Sequence, residues 1–219
     1  MKENKKRVEA LTVSAVMIAF SVSISAICAV MPFLNLPFGG GFTIASMLPI
    51  IIVAYMYGTK WGILTAFVYS IMQMLLGFNT VSAFFLPGDS QMVWYRAVIV
   101  CLIDYVVAYT VLGFGGVFRK RFGTGKALCL GSIFAISLRY LAHIISGAIF
   151  FGTWAEWFFT QEGFPAWGGK ILETFSGDAL ATVYSIIYNG TYMIPEIIIT
   201  AIVACFVVRI PQIKMRDAS

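Results

Sequence analysis

Four ionisable residues lie within long apolar stretches of this sequence, namely Asp104, Arg139, His143 and Glu196. A charged side chain at the centre of a bilayer costs about 2.5 to 3.5 kcal/mol on insertion scales, so each of these residues needs a partner or a hydrated cavity. Arg139 and His143 are four positions apart and therefore project from one face of a helix, and Gly147 continues that face. The spacing predicts that they line one pocket.

Aromatic residues accompany this polar set, namely Tyr105, Tyr140, Phe151, Trp154 and Tyr184. The face of an aromatic ring attracts a cation by about 0.5 to 2 kcal/mol, and a carboxylate supplies the countercharge. The combination predicts a site for a flat organic cation. The same rings also suit core packing or the aromatic belt at a membrane interface, and the sequence leaves that alternative open.

The polar residues have a second interpretation that needs no ligand. Asp104 and Arg139 would form a buried ion pair between two helices, with His143 and Asn189 as hydrogen-bonding partners across helices. The two interpretations are compatible, because an arginine can orient a carboxylate that also faces a ligand. Neither places Glu196, which either bonds to predicted helix 1 or 5 or accepts a proton.

Sequence patterns of catalysis and metal binding are absent. The chain has one histidine and no HExxH motif, and its four cysteines occur singly in apolar runs. The stretch from Gly123 to Lys126 resembles the end of a phosphate loop, but Lys120 stands where the first glycine would be and Ala127 replaces the Ser or Thr. We therefore expect no enzymatic activity, no metal, no cofactor and no ATP hydrolysis by this chain.

The segments that carry these residues are apolar enough for a membrane. Over 219 residues the chain is 60% hydrophobic and 11% charged, whereas soluble domains have about 45 to 50% and about 25%. Apolar segments run approximately over 8–31, 43–57, 60–77, 93–118, 127–151 and 180–209. An isolated strand in lipid would leave its backbone unpaired, so we predict an all-α integral membrane protein, with a single six-helix transmembrane domain over 1–219. The second segment is short, and Pro49 predicts a kink or an incomplete span there.

Basic residues are distributed unevenly between the two sides of the predicted bundle. If the N-terminus is cytoplasmic, the cytoplasmic segments carry 12 of the 15 basic residues: Lys2, Lys5, Lys6, Arg7, Lys60, Arg119, Lys120, Arg121, Lys126, Arg209, Lys214 and Arg216. The opposite connections, 32–42, 78–92 and 152–179, carry only Lys170. The positive-inside rule therefore predicts a multi-pass cell-membrane protein with both termini in the cytoplasm. The basic residues are orientation signals, and no nucleic-acid partner is expected.

With this topology the polar residues share one layer in the outer half of the membrane. At a rise of about 1.5 Å per residue, His143 lies about 12 Å and Arg139 about 18 Å below the outer end of their helix. Asp104 lies about 16 Å down, and Tyr184 and Asn189 about 8 and 15 Å down. The common depth predicts a binding cavity that opens to the outside. The connection 152–179 is predicted to be a lid or an interfacial loop.

Three stretches of the chain resemble a known family: LIDYVVAY (102–109), LRYLAHIISGAIFFG (138–152) and VYSIIYNGTYMIP (183–195). They combine polar residues that are rare in membranes in a fixed order, and the likeness spans nearly the whole chain. The chain is similar to the thiamine-specific S-components of energy-coupling-factor transporters. This resemblance implies an S-component-like bundle and high-affinity thiamine binding near the outer face. It also implies a complex with a transmembrane coupling subunit and two cytoplasmic ATPases.

The resemblance implies roles for individual residues as well. The family's pocket carboxylate matches Asp104, its helix 5 basic residue Arg139 and its imidazole His143. The predicted substrate-binding set is Asp104, Arg139, Tyr140, His143, Gly147, Phe151, Tyr184 and Asn189. This chain departs from some relatives at two positions, where its side chains are smaller. Those relatives have a Glu where this chain has Asp104 and a stacking Trp where it has Phe151. Trp154 is placed to compensate for the second departure.

Ala15 and Ala19 form a small-xxx-small pair in the first apolar segment, which permits close approach of another helix. The resemblance implies that this is the docking face for the coupling subunit, and packing within the chain is the alternative. The predicted function is capture of thiamine from outside for ATP-driven import. The alternative is a stand-alone secondary transporter or facilitator of a cationic vitamin or amine, with Glu196 or Asp104 as a proton site.

Overall fold

A computed structural model describes residues 2–36, 40–213 and 215, apart from the side chain of Lys2. Residues 37–39 of the predicted connection 32–42, and the basic residues Lys214 and Arg216, lie outside the described residues. Within the described part the fold is helical, and the one β-type contact is an isolated bridge between Asn35 and Gly41. The prediction of an all-α protein is confirmed.

Six main helices form the bundle in the described residues. They are α1 (Lys2–Ala29), α2 (Leu48–Tyr57), α3 (Thr59–Leu76), α4 (Trp94–Gly116), α5 (Thr124–Phe150) and α6 (Gly177–Val207). Four of them, α1, α4, α5 and α6, are long and apolar enough to cross a bilayer. With 10 residues, α2 extends about 15 Å, which is half of a hydrocarbon core of about 30 Å.

Helix α2 lies at the centre of the bundle, and all ten of its residues are buried. It packs against α1, α3, α5 and the last turns of α4. The expected kink is absent, because the helix begins only at Leu48 and Pro49 occupies its first turn, whereas the short helix agrees with the alternative of an incomplete span. The missing N–H of a proline has no helical partner at that position in any case, so no hydrogen bond is lost.

Helix α4 changes its winding along its length. It is α-helical over Trp94–Cys101, π-helical over Leu102–Val107, α-helical again over Ala108–Thr110 and 3₁₀-helical over Val111–Gly116. A π-helical turn holds an additional residue and turns its side chains away from the regular helical positions, and such turns are frequent at functional sites. The π-helical turn of α4 contains Asp104.

Glycines allow the helices to meet closely at the far end of α4. A Cβ atom on Gly131 of α5 would overlap the carbonyl oxygen of Gly115, and one on Gly113 would overlap the backbone of Ile63. Two helix backbones can approach this closely only where glycine, which has no side chain, stands at the contact. The 3₁₀-helical end of α4 is thereby held between α3 and α5.

The α5–α6 connection, residues 151–176, is folded. It contains a 3₁₀ turn (Gly152–Trp154) and two short helices (Ala155–Phe159 and Trp167–Thr174). Phe158 and Phe159 are buried in an apolar cluster with Leu180 and Tyr184 of α6. The connection therefore packs onto α6, at the end of the bundle where the predicted polar layer lies.

Candidate functional site

A cavity of about 520 Å³ lies between α4, α5, α6 and the α5–α6 connection. Ligand pockets for small molecules are typically about 300 to 1,000 Å³. Seven of the eight predicted site residues line it: Asp104, Arg139, His143, Gly147, Phe151, Tyr184 and Asn189. It is also lined by Gly40, Thr80, Phe84, Ser90, Tyr105, Tyr109, Trp154, Trp157, Tyr188 and Tyr192. The structure thus places the predicted polar residues around one hollow.

Asp104 is held by two side chains of α5. Its Oδ1 lies 3.0 Å from Nδ1 of His143, and its Oδ2 accepts a hydrogen bond of 2.9 Å from the hydroxyl of Ser146. Its side chain keeps 18% of its accessible surface. These partners fix the carboxylate at the cavity wall. Ser146 was not predicted, although it stands three positions after His143 on the same helical face.

The contact with Asp104 determines which nitrogen of His143 is free. Because a carboxylate only accepts hydrogen bonds, Nδ1 carries the proton in this contact. Nε2 of His143 has no hydrogen-bond partner in the part of the chain that the structure describes. A neutral His143 therefore has an unused acceptor on a ring that lines the cavity.

Arg139 does not pair with Asp104, so the predicted ion pair between these residues is wrong. Its Nη1 donates to Oε2 of Glu196 at 3.1 Å, and its Nη2 donates to the Tyr109 hydroxyl at 2.9 Å. The guanidinium carbon also lies 4.3 Å from the centre of the Tyr109 ring. Glu196 accepts further hydrogen bonds from the backbone N–H and the hydroxyl of Thr43. Arg139 thus bonds to residues of α4 and α6. Glu196 bonds to a residue of helix 5, which was one of the two possibilities expected for it.

A second cavity of about 300 Å³ adjoins the first. Tyr105, Tyr109 and Arg139 line both cavities, so these three side chains form the wall between them. Glu196 lines the second cavity only. The Arg139–Glu196 pair therefore closes one side of the main cavity, and the acid in contact with that cavity is Asp104.

Helix α6 contributes hydrogen bonds and close packing. The side-chain amide of Asn189 donates to the backbone oxygens of His143 at 3.3 Å and of Ser185 at 2.8 Å, and its carbonyl accepts from the Tyr192 hydroxyl. A Cβ atom at Gly147 would overlap the hydroxyl of Ser185, so the glycine is what permits α5 and α6 to touch here. The predicted common layer of His143 and Asn189 corresponds to a direct contact.

A row of three tyrosines on α6 faces the cavity: Tyr184, Tyr188 and Tyr192. The rings of Tyr184 and Tyr188 are stacked, with centroids 5.5 Å apart and planes 27° apart. Only Tyr184 was predicted, although a spacing of four residues places all three on one helical face and was visible in the sequence. Tyr109 was missed in the same way, one turn after Tyr105.

Tyr140 is the one predicted site residue that does not line the cavity. Its hydroxyl donates to the backbone oxygen of Ile186 at 2.6 Å. A step of one residue turns a side chain by about 100° around a helix, which directs Tyr140 sideways to α6 and not along the face of Arg139 and His143. The placement of Tyr140 in the site is corrected on this ground.

The remaining predicted residues lie as follows. Phe151 packs with Phe84, at 5.9 Å between ring centroids, and forms an apolar part of the cavity wall. Ala15 and Ala19 are exposed on α1, away from the residues that line the cavity. In the described ranges no group of His, Cys, Asp or Glu side chains could hold a metal ion.

Comparison with known proteins gives concordant results. Residues 11–167 match the family model described as thiamine transporter protein (Thia_YuaJ). The thiamine transporter ThiT of Bacillus subtilis (strain 168) is 31% identical over 215 residues, which are 94% of this chain and 92% of the relative. A solved structure of ThiT from Listeria monocytogenes superposes with a TM-score of 0.63 at 20% identity, over 96% of this chain and all of that one.

The solved structure supports the fold alone, because its sequence identity is low. The family model covers most of the chain, and the Bacillus subtilis relative is similar along nearly its full length. The resemblance proposed from the three sequence stretches is therefore confirmed. This chain belongs to the thiamine transporter family, whose members are membrane transporters and not enzymes.

Proposed function

We propose that this protein captures thiamine in the cavity between α4, α5 and α6 and presents it for import. The observation that carries the proposal is Asp104, an acid within a membrane helix whose partners in the structure, His143 and Ser146, leave it without an arginine. The cavity needs a positive guest to balance that charge. Thiamine is a cation with two flat rings, and the related proteins are thiamine transporters by name.

Each part of the ligand has a complementary group in the proposed site. The Asp104 carboxylate balances the positive thiazolium or accepts from the aminopyrimidine. The stacked Tyr184 and Tyr188 offer flat faces, and the Asn189 carbonyl, which accepts from Tyr192, keeps a second lone pair for a ligand donor. The free Nε2 of His143 accepts one further hydrogen bond. A site with this many fixed partners is expected to bind tightly, because little conformational freedom is lost on binding.

In this proposal the chain is an S-component with six membrane helices and both termini in the cytoplasm. The distribution of basic residues supports the orientation. The absence of a nucleotide-binding motif from the sequence supports an external energy source, which we propose to be a transmembrane coupling subunit and two cytoplasmic ATPases. The exposed pair Ala15 and Ala19 on α1 supplies a face for the coupling subunit.

The stand-alone transporter is the rival, and the state of Glu196 speaks against this residue as its proton site. A carboxylate that carries protons during transport must be accessible and must exchange its partners. Glu196 is 2% exposed and is bonded to both Arg139 and Thr43. Purified protein in liposomes without partners discriminates between the two proposals. Thiamine binding without uptake supports the S-component, whereas uptake driven by an ion gradient supports the rival.

The ligand site is tested with Asp104→Ala. Removing a buried charge from a pair typically costs 2 to 5 kcal/mol, so we expect the thiamine affinity to fall about 30-fold or more in calorimetry. Asp89→Ala is the matched control, because Asp89 is an exposed acid that does not line the cavity. If both variants bind thiamine as tightly as the unmodified protein, Asp104 is not the countercharge and the proposal is wrong.

A further inference from the structure

Two tryptophans of the α5–α6 connection, Trp154 and Trp157, line the cavity. Their rings meet edge to face, with centroids 5.6 Å apart and planes 84° apart. The side chain of Trp157 is 45% exposed although it lies on the wall of an enclosed site. A large aromatic ring on a cavity wall with free surface can hold a ligand group.

The backbone that carries Trp157 is fixed to α6. Its neighbour Phe158 is 1% exposed and lies between the connection and the bundle, with its ring centroid 5.4 Å from that of Tyr184. Ala155 and Phe159 of the same short helix are buried as well. The tryptophan is therefore presented by a packed helix and needs little ordering when a ligand arrives.

The charges around the cavity determine which ligand group Trp157 suits. The acid of the cavity is Asp104, and the basic side chain that reaches the wall, Arg139, is already engaged with Glu196 and Tyr109. No lysine and no second arginine line the cavity in the described part of the chain. The cavity thus offers a tryptophan face to a cation and no free cation to compete for it.

We propose that Trp157 is a ligand-binding residue, supported from behind by Trp154, and that its indole face contacts the positively charged ring of the ligand. The proposal rests on the proposed thiamine site. It adds a ligand contact from the α5–α6 connection to the contacts that the membrane helices supply. It also assigns a specificity: Trp157 favours a charged ring over an uncharged ring of the same shape, because the charged ring gains the attraction of the indole quadrupole in addition to the stacking that both rings share.

The test combines two variants with two ligands. Trp157→Ala and Trp157→Phe are titrated calorimetrically with thiamine and with an uncharged analogue in which a thiophene replaces the thiazolium. For thiamine we expect a loss of about 3- to 30-fold in affinity in Trp157→Ala and a smaller loss in Trp157→Phe. For the uncharged analogue we expect a smaller loss than for thiamine in each variant, because it loses the stacking contact but no cation attraction.

Trp167→Ala is the matched control. Trp167 belongs to the same connection and is also 45% exposed, but it packs on Phe164 and does not line the cavity. We expect this variant to bind thiamine normally. An equal loss in Trp167→Ala and Trp157→Ala would show that only the fold of the connection matters, and would overturn the proposal.

The experiments distinguish a wrong role for Trp157 from a wrong function for the whole protein. If the unmodified protein does not bind thiamine, the function itself is wrong. If it binds and Trp157→Ala binds equally well, only the role of Trp157 is wrong. An equal loss for the charged and the uncharged ligand would also overturn the proposal, because it would assign Trp157 a contact that does not depend on charge.

Discussion

At the scale of residues, two ionic groups in the membrane have separate tasks. Asp104 faces the cavity with one of its oxygens on His143 and the other on Ser146. Arg139 and Glu196 bond to each other and are both almost fully buried. With a neutral His143 the first arrangement carries one negative charge that a ligand can balance, whereas the second is neutral as a pair. Ligand binding is therefore expected to depend on the first and stability on the second.

The Arg139–Glu196 pair yields a test of this division. Arg139→Gln leaves Glu196 buried without its cation, which typically costs about 3 to 5 kcal/mol of stability. The double variant Arg139→Gln with Glu196→Gln removes both charges, so we expect it to melt at a higher temperature than Arg139→Gln alone. Thermal unfolding in detergent measures this difference.

An exposed ion pair on α1 is the control for that measurement. Arg7 and Glu3 also form an ion pair, with 2.9 Å between nitrogen and oxygen, but their side chains are 58% and 64% exposed. Exposed pairs contribute little, so Arg7→Gln is expected to leave the melting temperature unchanged. If Arg139→Gln behaves like Arg7→Gln, the buried pair has no structural role.

The sequence could predict which residues meet in the cavity but not how they pair. Spacing along α5 placed His143 and Gly147 on one face, and equal depths placed Asn189 beside them. The pairing of Arg139 with Glu196 depends on how α6 is rotated relative to α5, and residue spacing within one helix contains no information about another. Asp104 was one possible partner of Arg139, and Glu196 was left to bond to helix 1 or 5 or to accept a proton.

At the scale of elements, helix α4 has two features that a regular helix lacks. One is its π-helical turn, and the other is its 3₁₀-helical end, which packs through glycines. The π-helical turn over Leu102–Val107 carries Asp104, and its additional residue is not visible in a hydrophobic pattern. The apolar segment 93–118 therefore predicted a helix with nearly the observed ends but not its internal geometry.

The α5–α6 connection was likewise predicted only as a lid or loop, because its short helices are stabilised by packing on α6.

The glycine contact between α4 and α5 is tested with Gly131→Ala. The new methyl group would overlap the carbonyl oxygen of Gly115, which is part of a backbone and cannot move alone. Overpacking of this kind typically costs about 1 to 3 kcal/mol, so we expect a lower melting temperature.

Gly125→Ala provides the matched control on the same helix. A Cβ atom at Gly125 would meet only a side-chain carbon of Val208 at 3.8 Å, an ordinary contact. Because alanine favours a helix over glycine by up to about 1 kcal/mol, this variant is expected to be as stable as the unmodified protein or more stable. Equal destabilisation by both substitutions would contradict the proposed contact.

At the scale of the whole molecule, the cavity and the proposed docking face are separate surfaces. The cavity is built by α4, α5, α6 and the connections, whereas Ala15 and Ala19 are exposed on α1. In the proposed function the chain carries out both tasks, because it would bind thiamine alone and transport it only with its partners. A change on one surface is therefore expected to leave the other intact.

Ala15→Trp tests this separation. A bulky ring at a small-xxx-small position prevents close approach of another helix, so we expect reduced assembly with the coupling subunit and reduced ATP-driven uptake in proteoliposomes. Thiamine affinity of the isolated chain is expected to be unchanged, because Ala15 does not line the cavity. Ile198→Trp on α6, where Ile198 is 53% exposed, controls for adding a tryptophan to an exposed helix surface. Normal uptake by Ala15→Trp would move the docking face elsewhere, and weaker binding by the isolated variant would show that α1 and the cavity are coupled.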